Sequence, residues 1–360
     1  MTALWHCLCL ALLALAANVS GEVSCKDEHN NDVDWWFMVS LNNRQYIYVS
    51  SENSGSWQNS FEEIRRDYRS RAGRTLESLK RKEHLFMVAY NDVFTNGTTF
   101  NTKGAARGWI ATDGRTGVWL VHSMPEFPAI DGEDYRNQPN PVHDMGHSFL
   151  CLTLTTDAVE QAAQMLQLYR PHFYHVRNTL YPGKFPQLRL ALDPNSDPFD
   201  TEQDLQISTV KGQQFRLFGR HPKSKKELYA QIVAPALGVD LFVRTDRKAE
   251  SEPLPNKCDH NKVYNVKEVV SPHGKFQSAA QNQAKWAVSV KTGVKLFWLW
   301  RVGGNDWTCI GDLNRDQAHQ SRGGGAICLE DSAVADRFRE LLSTYEECSC
   351  STFPCEAKYD

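Results

Sequence analysis

Beyond its first residues the chain has no apolar run approaching the ~18 residues that cross a membrane, and its mean hydropathy is −0.50. No membrane span is expected. It has no excess of either charge, with 40 basic against 43 acidic residues and a net charge of −3. That excludes a uniformly basic nucleic-acid binder, though not a local basic patch. It has no low-complexity segment and no short-period repeat. It is not poor in apolar residues either: 41% apolar and 23% charged exclude wholesale disorder. Near Cys348, Cys350 and Cys355 there is no matching histidine pair, so zinc is not expected. No cofactor is implied.

What is present starts with length. At 360 residues the chain allows two or three domains, or one large domain with internal duplication. It also has 10 cysteines, many for a cytosolic protein of this size. Leu8 to Ala17 is an apolar stretch of signal-peptide length followed by small residues, with cleavage placed after Ala16, Ala17 or Gly21. Cleavage removes Cys7 and Cys9. It leaves Cys25, Cys151, Cys258, Cys309, Cys328, Cys348, Cys350 and Cys355. An even number behind a signal peptide indicates disulfides in an oxidising compartment. Asn96-Gly97-Thr98 is a glycosylation sequon in a turn-like stretch. Secretion is therefore the expected localisation, with the lysosome as the alternative.

Buried strands are expected over Val33–Val39, Leu85–Tyr90, Gly117–His122, Phe149–Leu154, Asp240–Val243, Lys285–Val290 and Trp307–Ile310. Helical spacing appears over Ala158–Tyr169, Lys226–Leu237 and Ser332–Tyr345. Strands alternating with helices predict an α/β layered fold. Tyr181 to Gln206 is rich in Pro, Asp and Asn and reads as a connection between two halves.

Several blocks, in order, resemble the deoxyribonuclease II family. They are Val33-Asp34-Trp35 after Cys25, Ala89-Tyr90-Asn91-Asp92, Gly117 to Pro125 with Phe127-Pro128, Cys309 to Arg315, and Arg322-Gly323-Gly324-Gly325 with Cys328. The resemblance spans almost the whole mature chain. It implies a phospholipase-D-like α/β fold, two pseudo-symmetric halves sharing one central groove. The boundaries expected are a signal peptide over 1–21, an N-terminal half over 22–180, a connection over 181–206 and a C-terminal half over 207–360. It also implies disulfides Cys25–Cys151, Cys258–Cys348 and Cys309–Cys328, leaving Cys350 and Cys355 as a local pair.

The family hydrolyses DNA without metal at acidic pH, and the resemblance implies one His-x-Lys motif from each half. One histidine attacks phosphorus and the other moves protons, which suits a side chain that titrates in that range. The lysines hold phosphate oxygens. Counting back without gaps from Trp119 puts Ala105-Ala106-Arg107-Gly108 at the first motif; a gapped frame uses Asn101-Thr102-Lys103-Gly104. Either way the histidine is absent. At the second motif stands Asn282-Gln283-Ala284-Lys285-Trp286, with Gln283 for histidine and Lys285 kept. A neutral amide cannot take or give the proton. Losing a nucleophile costs on the order of 10⁶ in another hydrolase. His122, in a shared block, reads as structural or supporting. His143, His147, His221 and His273 read as surface or packing residues.

The expectation from the sequence is therefore no enzyme: a secreted, inactive relative acting as a binding or effector protein. The alternative is an acid, metal-independent DNA endonuclease or phosphodiesterase with a rearranged site. Lys285, Asn314, Arg315 and Arg107 are polyanion-compatible residues at or near the groove. Two basic clusters suggest a glycosaminoglycan or nucleic-acid patch: Arg65, Arg66, Arg69, Arg71, Arg74, Lys80, Arg81 and Lys82, then Lys211, Arg216, Arg220, Lys223, Lys225 and Lys226. The expected partner is an extracellular polyanion, glycosaminoglycan or DNA, or a secreted or cell-surface protein, with a homodimer as a further option.

Overall fold

The structure is a computed structural model. It describes residues 22–348 apart from 41–44, 65–67, 81, 94–97, 126, 132–133, 137–144, 181–182, 199, 247–250, 273–275, 278–281 and 292–304. The expected signal peptide, Arg65, Arg66, Arg81, Asn96, His143, His273, Cys350 and Cys355 lie outside the described residues.

The apolar runs form the strands of two large sheets. Across the first, the order is Phe173–Asn178, Phe86–Tyr90, Gly108–Thr112, Thr116–His122, His147–Thr155, Trp35–Ser40, Tyr46–Ser50 and Asn53–Asn59. Across the second it is Glu202–Ser208, Gln214–Arg220, Gly324–Glu330, Trp307–Gly311, Trp286–Ser289, Leu241–Arg244, Val263–Val270 and Phe276–Gln277. Neighbours are antiparallel except Leu241–Arg244 beside Val263–Val270. The central strands are buried on both faces, which is why they read as continuous apolar runs and not as alternating ones.

Both faces are buried because helices lie on both. Arg71–Lys80 turns Ala72, Leu76 and Leu79 onto the outer face of the first sheet, against Trp36, Trp109 and Leu120. Leu228–Leu237 does the same for the second, packing Tyr229 and Val233 near Phe218 and Cys309. Between the sheets lie Thr156–Tyr169 and Ser332–Glu340. The first of these starts where the Thr155 side chain accepts the Ala158 N–H and ends at Arg170, in a left-handed conformation, whose N–H reaches Leu166 O. It is buried on both flanks. Gly117 of one sheet admits Val159, and Gly219 of the other admits Met165, Leu168 and Tyr169; a Cβ at either glycine would lie within 2.8 Å of those side chains. Phe338 of the second helix meets Phe37 and Trp286, one from each sheet. The result is the mixed α/β, phospholipase-D-like architecture: helix, sheet, helices, sheet, helix.

Two helices depart from expectation. The expected helix over Ser332–Tyr345 stops at Glu340, and Leu342–Tyr345 becomes a strand antiparallel to Val263–Val270. Thr344 and Tyr345 suit a pleated surface, and sheet pairing outweighs the helical spacing. Over Lys226–Leu237 the coil begins at Leu228 and is wide until Val233; Pro235 has no N–H to give to the preceding turn. Pro186–Leu192 forms a helix within 181–206, and the strand Glu202–Ser208 begins there as well.

Disulfides join Cys25 to Cys151, Cys258 to Cys348 and Cys309 to Cys328. The last links residues directly opposite on neighbouring strands.

Candidate active site

Where the halves meet, backbone stitches them together. Ala105 N–H donates to Gly323 O (2.8 Å) and Gln283 N–H to Gly146 O (2.8 Å). Ser148 Oγ accepts the Lys285 N–H (2.9 Å). Gly104 and Gly323 both lie against the Tyr169 carbonyl, where any Cβ would collide. These contacts bring the strand end at Lys285 and the turn before Gly108 to one place.

Five charged side chains converge there. Arg107 Nε lies 2.5 Å from Asp92 Oδ1, and its Nη1 donates to Ser123 O. Arg322 Nη2 lies 2.7 Å from Asp92 Oδ2 and also donates to Gly104 O, while its Nε donates to Lys103 O. Lys285 Nζ donates to Asp312 O. Asp312 Oδ2 accepts the Gly325 N–H (3.2 Å). All but Arg107 are buried, and Arg107 nearly so.

Burial sets the electrostatics. It would raise the Asp92 carboxyl, but Arg107 and Arg322 outweigh it and hold Asp92 at about 2. Asp312 is raised, chiefly by burial, which the Lys285 charge and the Gly325 N–H offset only in part. Lys285 is lowered, first by burial and then by Arg107, against the pull of Asp92, Asp312 and Asp246. Three cations thus face two carboxylates, one of them easily protonated. Guanidinium and ammonium groups held in a dry setting suit a phosphate.

Of the two frames for the first motif, the structure brings Arg107 to Lys285; Lys103 is exposed. Ala105 is wholly buried and offers a methyl group. Gln283 is buried, and its Oε1 has no hydrogen-bond partner among the described residues. His122 is sealed between Phe127 and Phe149 and lowered to about 3, mainly by burial. It stays neutral in acid and works as a packing residue. Arg315 is drawn away, with Nη2 on Pro255 O and Nε 3.5 Å from Glu227; Asn314 is half-buried. Arg315 and Glu227 line a separate cavity of about 510 Å³ beside Cys258, which shares no residue with the cluster. Among the described residues no group of three or more His, Cys, Asp or Glu side chains could hold a metal.

Some charges of each basic cluster are met by acids, close in sequence in the first cluster and remote in the second. Arg69 pairs with Glu62 and Lys80 with Glu77. Arg71 is buried with its guanidinium 3.7 Å from the Tyr48 ring centre, and Lys82 is half-buried. Arg216 pairs with Asp204, Lys223 with Asp197 and Lys226 with Glu202, while Arg220 is buried on backbone carbonyls of Ser224, Lys226 and Gln320. Lys211, Lys223, Lys225 and Lys226 remain exposed. Asp92, Asp312 and Arg322 were not singled out as site residues from the sequence, although each lies in a block carrying the resemblance.

Comparison with known proteins supplies the context. The family model for Deoxyribonuclease II matches residues 24–348. The chain is 28% identical to Deoxyribonuclease-2-beta of Homo sapiens over 345 residues, covering 91% of this chain and 92% of that one. It is 28% identical to Plancitoxin-1 of Acanthaster planci over 363 residues (94% and 96%). It is 24% identical to Deoxyribonuclease-2-alpha of Sus scrofa over 361 residues (94% of each). These matches correct the expectation that the chain is no enzyme. Relatives named deoxyribonucleases align over more than nine-tenths of it. Among the described residues no helix is long and apolar enough to cross a membrane.

Proposed function

The chain belongs to the deoxyribonuclease II family, and on that premise we propose that it is an acid, metal-independent DNA phosphodiesterase with a rearranged active site, working in an oxidising, extracellular or lysosomal compartment. The observation that carries this reading is the cluster of Arg107, Lys285 and Arg322 at the junction of the halves. Preorganised cations in a water-poor site stabilise charge that builds on phosphate oxygens, worth ~10²–10³ in rate per donor. The rearrangement lies at Ala105 and Gln283, where the resemblance expects histidines; a methyl group and an amide supply no proton. Acid favours the site. With Asp312 protonated, three cations face one carboxylate, and an incoming phosphate meets less opposing charge. The three disulfides support the compartment.

A second reading is favoured by the exposed Lys223, Lys225 and Lys226 in one short turn, with Lys211 also exposed: a surface that holds an extracellular polyanion, DNA or glycosaminoglycan. Such binding weakens steeply with salt.

Plasmid relaxation at about pH 5 with excess chelator tests the main reading. Nicking by the wild type is expected, with a loss of roughly 100-fold or more in Lys285→Ala. Intact supercoiled plasmid after prolonged incubation with wild type would overturn it. Heparin retention that is unchanged in a Lys223→Ala/Lys225→Ala/Lys226→Ala variant would remove the second reading.

A further inference from the structure

The site as described has cations for the phosphate and, in Asp312, one carboxyl that protonates in acid, but with Ala105 and Gln283 in place it has no base to take a proton from water. Three residues before Arg322 lies a histidine that nothing above uses. Ala318–Ser321 forms a single tight turn between the strands Trp307–Gly311 and Gly324–Glu330. Its start is fixed by Asp316, whose Oδ1 accepts the backbone N–H of His319 (2.9 Å) and lies 2.8 Å from His319 Nδ1. The turn is also held from outside: Gln317 N–H on Glu252 O, Ala318 N–H on Ser251 Oγ, and Arg220 on Gln320 O. Arg322, three residues on, donates its backbone N–H to His319 O and sends its guanidinium into the cluster.

We propose that His319, oriented by Asp316, is the general base of this active site. The inference rests on the phosphodiesterase reading above. An ionised Asp316 accepts a hydrogen bond from Nδ1–H and fixes the tautomer, so Nε2 is left with a free lone pair. This is the base-plus-orienter arrangement of hydrolases in general. Nε2 accepts a proton from water as the water oxygen bonds to phosphorus. The P–O bond to the sugar breaks, and the leaving oxygen takes a proton from the acidic solvent. His319 then returns its proton to solvent, and the products are a phosphomonoester and an alcohol.

Two observations set His319 apart from His122, which feels the same cluster. The His122 ring is enclosed, while 14% of the His319 side chain reaches solvent. His319 also has a carboxylate partner, Asp316, that holds the ring in one orientation. Asp316 touches the ring, and Lys285 and Arg322 are the cations whose charge bears on it. Burial lowers its pKa, Asp316 opposes that, and the two cations add to the lowering. The ring therefore gives up its proton more readily than an exposed imidazole does.

The test is the pH profile of kcat/KM on bis(p-nitrophenyl) phosphate and on plasmid, with chelator present, for wild type, His319→Gln and Asp316→Asn. Far-ultraviolet circular dichroism and thermal melts check that each variant folds. His319→Gln should lose roughly 10²–10⁴-fold and the acid limb of the profile. Asp316→Asn should keep that limb but move it to lower pH, because the ring loses the negative partner that favours its charged form. A folded His319→Gln with wild-type rate and profile would overturn the proposal while leaving the phosphodiesterase reading intact. So would an acid limb unmoved by Asp316→Asn. A wild type silent on both substrates would overturn that reading itself, and this proposal with it.

Discussion

Asp92 and Arg322 are 230 residues apart in sequence and 2.7 Å apart in space. One carboxylate from the first half divides its two oxygens between Arg322 of the second half and Arg107 of its own. The junction between the halves and the anion-binding cluster are therefore the same set of contacts.

Asp92→Asn should leave two nearly buried guanidinium groups without their anion. A loss of roughly 3–5 kcal/mol is expected in urea unfolding at pH 6. The sign of the pH dependence follows from the depressed carboxyl, at about 2 in the fold against ~3.9 unfolded. Its stabilisation is full above pH ~4 and drains away as pH falls toward 2, amounting to roughly 2–3 kcal/mol. The variant should lose less stability than wild type across that interval.

Asp312→Asn tests the acid preference from the opposite side. The raised Asp312 carboxyl is neutral in acid and ionises as pH rises, adding negative charge beside Lys285. Oligonucleotide affinity of wild type should therefore fall several-fold between about pH 5 and pH 7.5, a fold-change equal to roughly 1 kcal/mol. The variant, unable to ionise there, should fall much less. Equal slopes in fluorescence anisotropy titrations would remove Asp312 from the explanation.

The disulfides should differ in worth. Cys25–Cys151 closes 126 residues and Cys309–Cys328 only 19. On chain entropy alone the first contributes ~5 kcal/mol and the second ~3. Paired Cys→Ala variants, compared by chemical denaturation, should rank in that order.

Gly219→Ala should cost roughly 1–3 kcal/mol by overpacking. The new methyl carbon would fall 2.7–2.8 Å from Tyr169, Leu168 and Met165. A melting temperature equal to wild type would mean that the helix can shift away from the strand.

The fold was legible where burial is continuous. Trp35–Ser40 and Thr116–His122 are apolar along their length because helices cover both faces, and a run of that kind shows in the sequence. The helix Arg71–Lys80 was not seen. Its charged residues read as a basic patch, while Ala72, Leu76 and Leu79 carry the buried face at helical spacing. The same charges misled in another way. A count of lysines and arginines near one another says nothing of Asp204, Asp197 and Glu202, which reach them through folding. Lys285 and Arg107 were named through the resemblance, but Asp92 and Arg322 gain their roles only when two distant segments meet. Asp316 and His319 are an ordinary i, i+3 pair in sequence; the packed turn around them makes them a candidate site.

The helix Thr156–Tyr169 has a consequence for biosynthesis. One flank is covered by strands made before it, the other by Gln214–Arg220 and Gly324–Glu330, made up to about 170 residues later. During translation at ~5–20 residues per second, the first sheet emerges with Ala162, Leu166 and Leu168 still waiting for their second cover. A chain cut near residue 200 would keep that apolar stripe open to water and should be recovered as aggregate. The two halves are thus one folding unit, and neither is expected to be made alone.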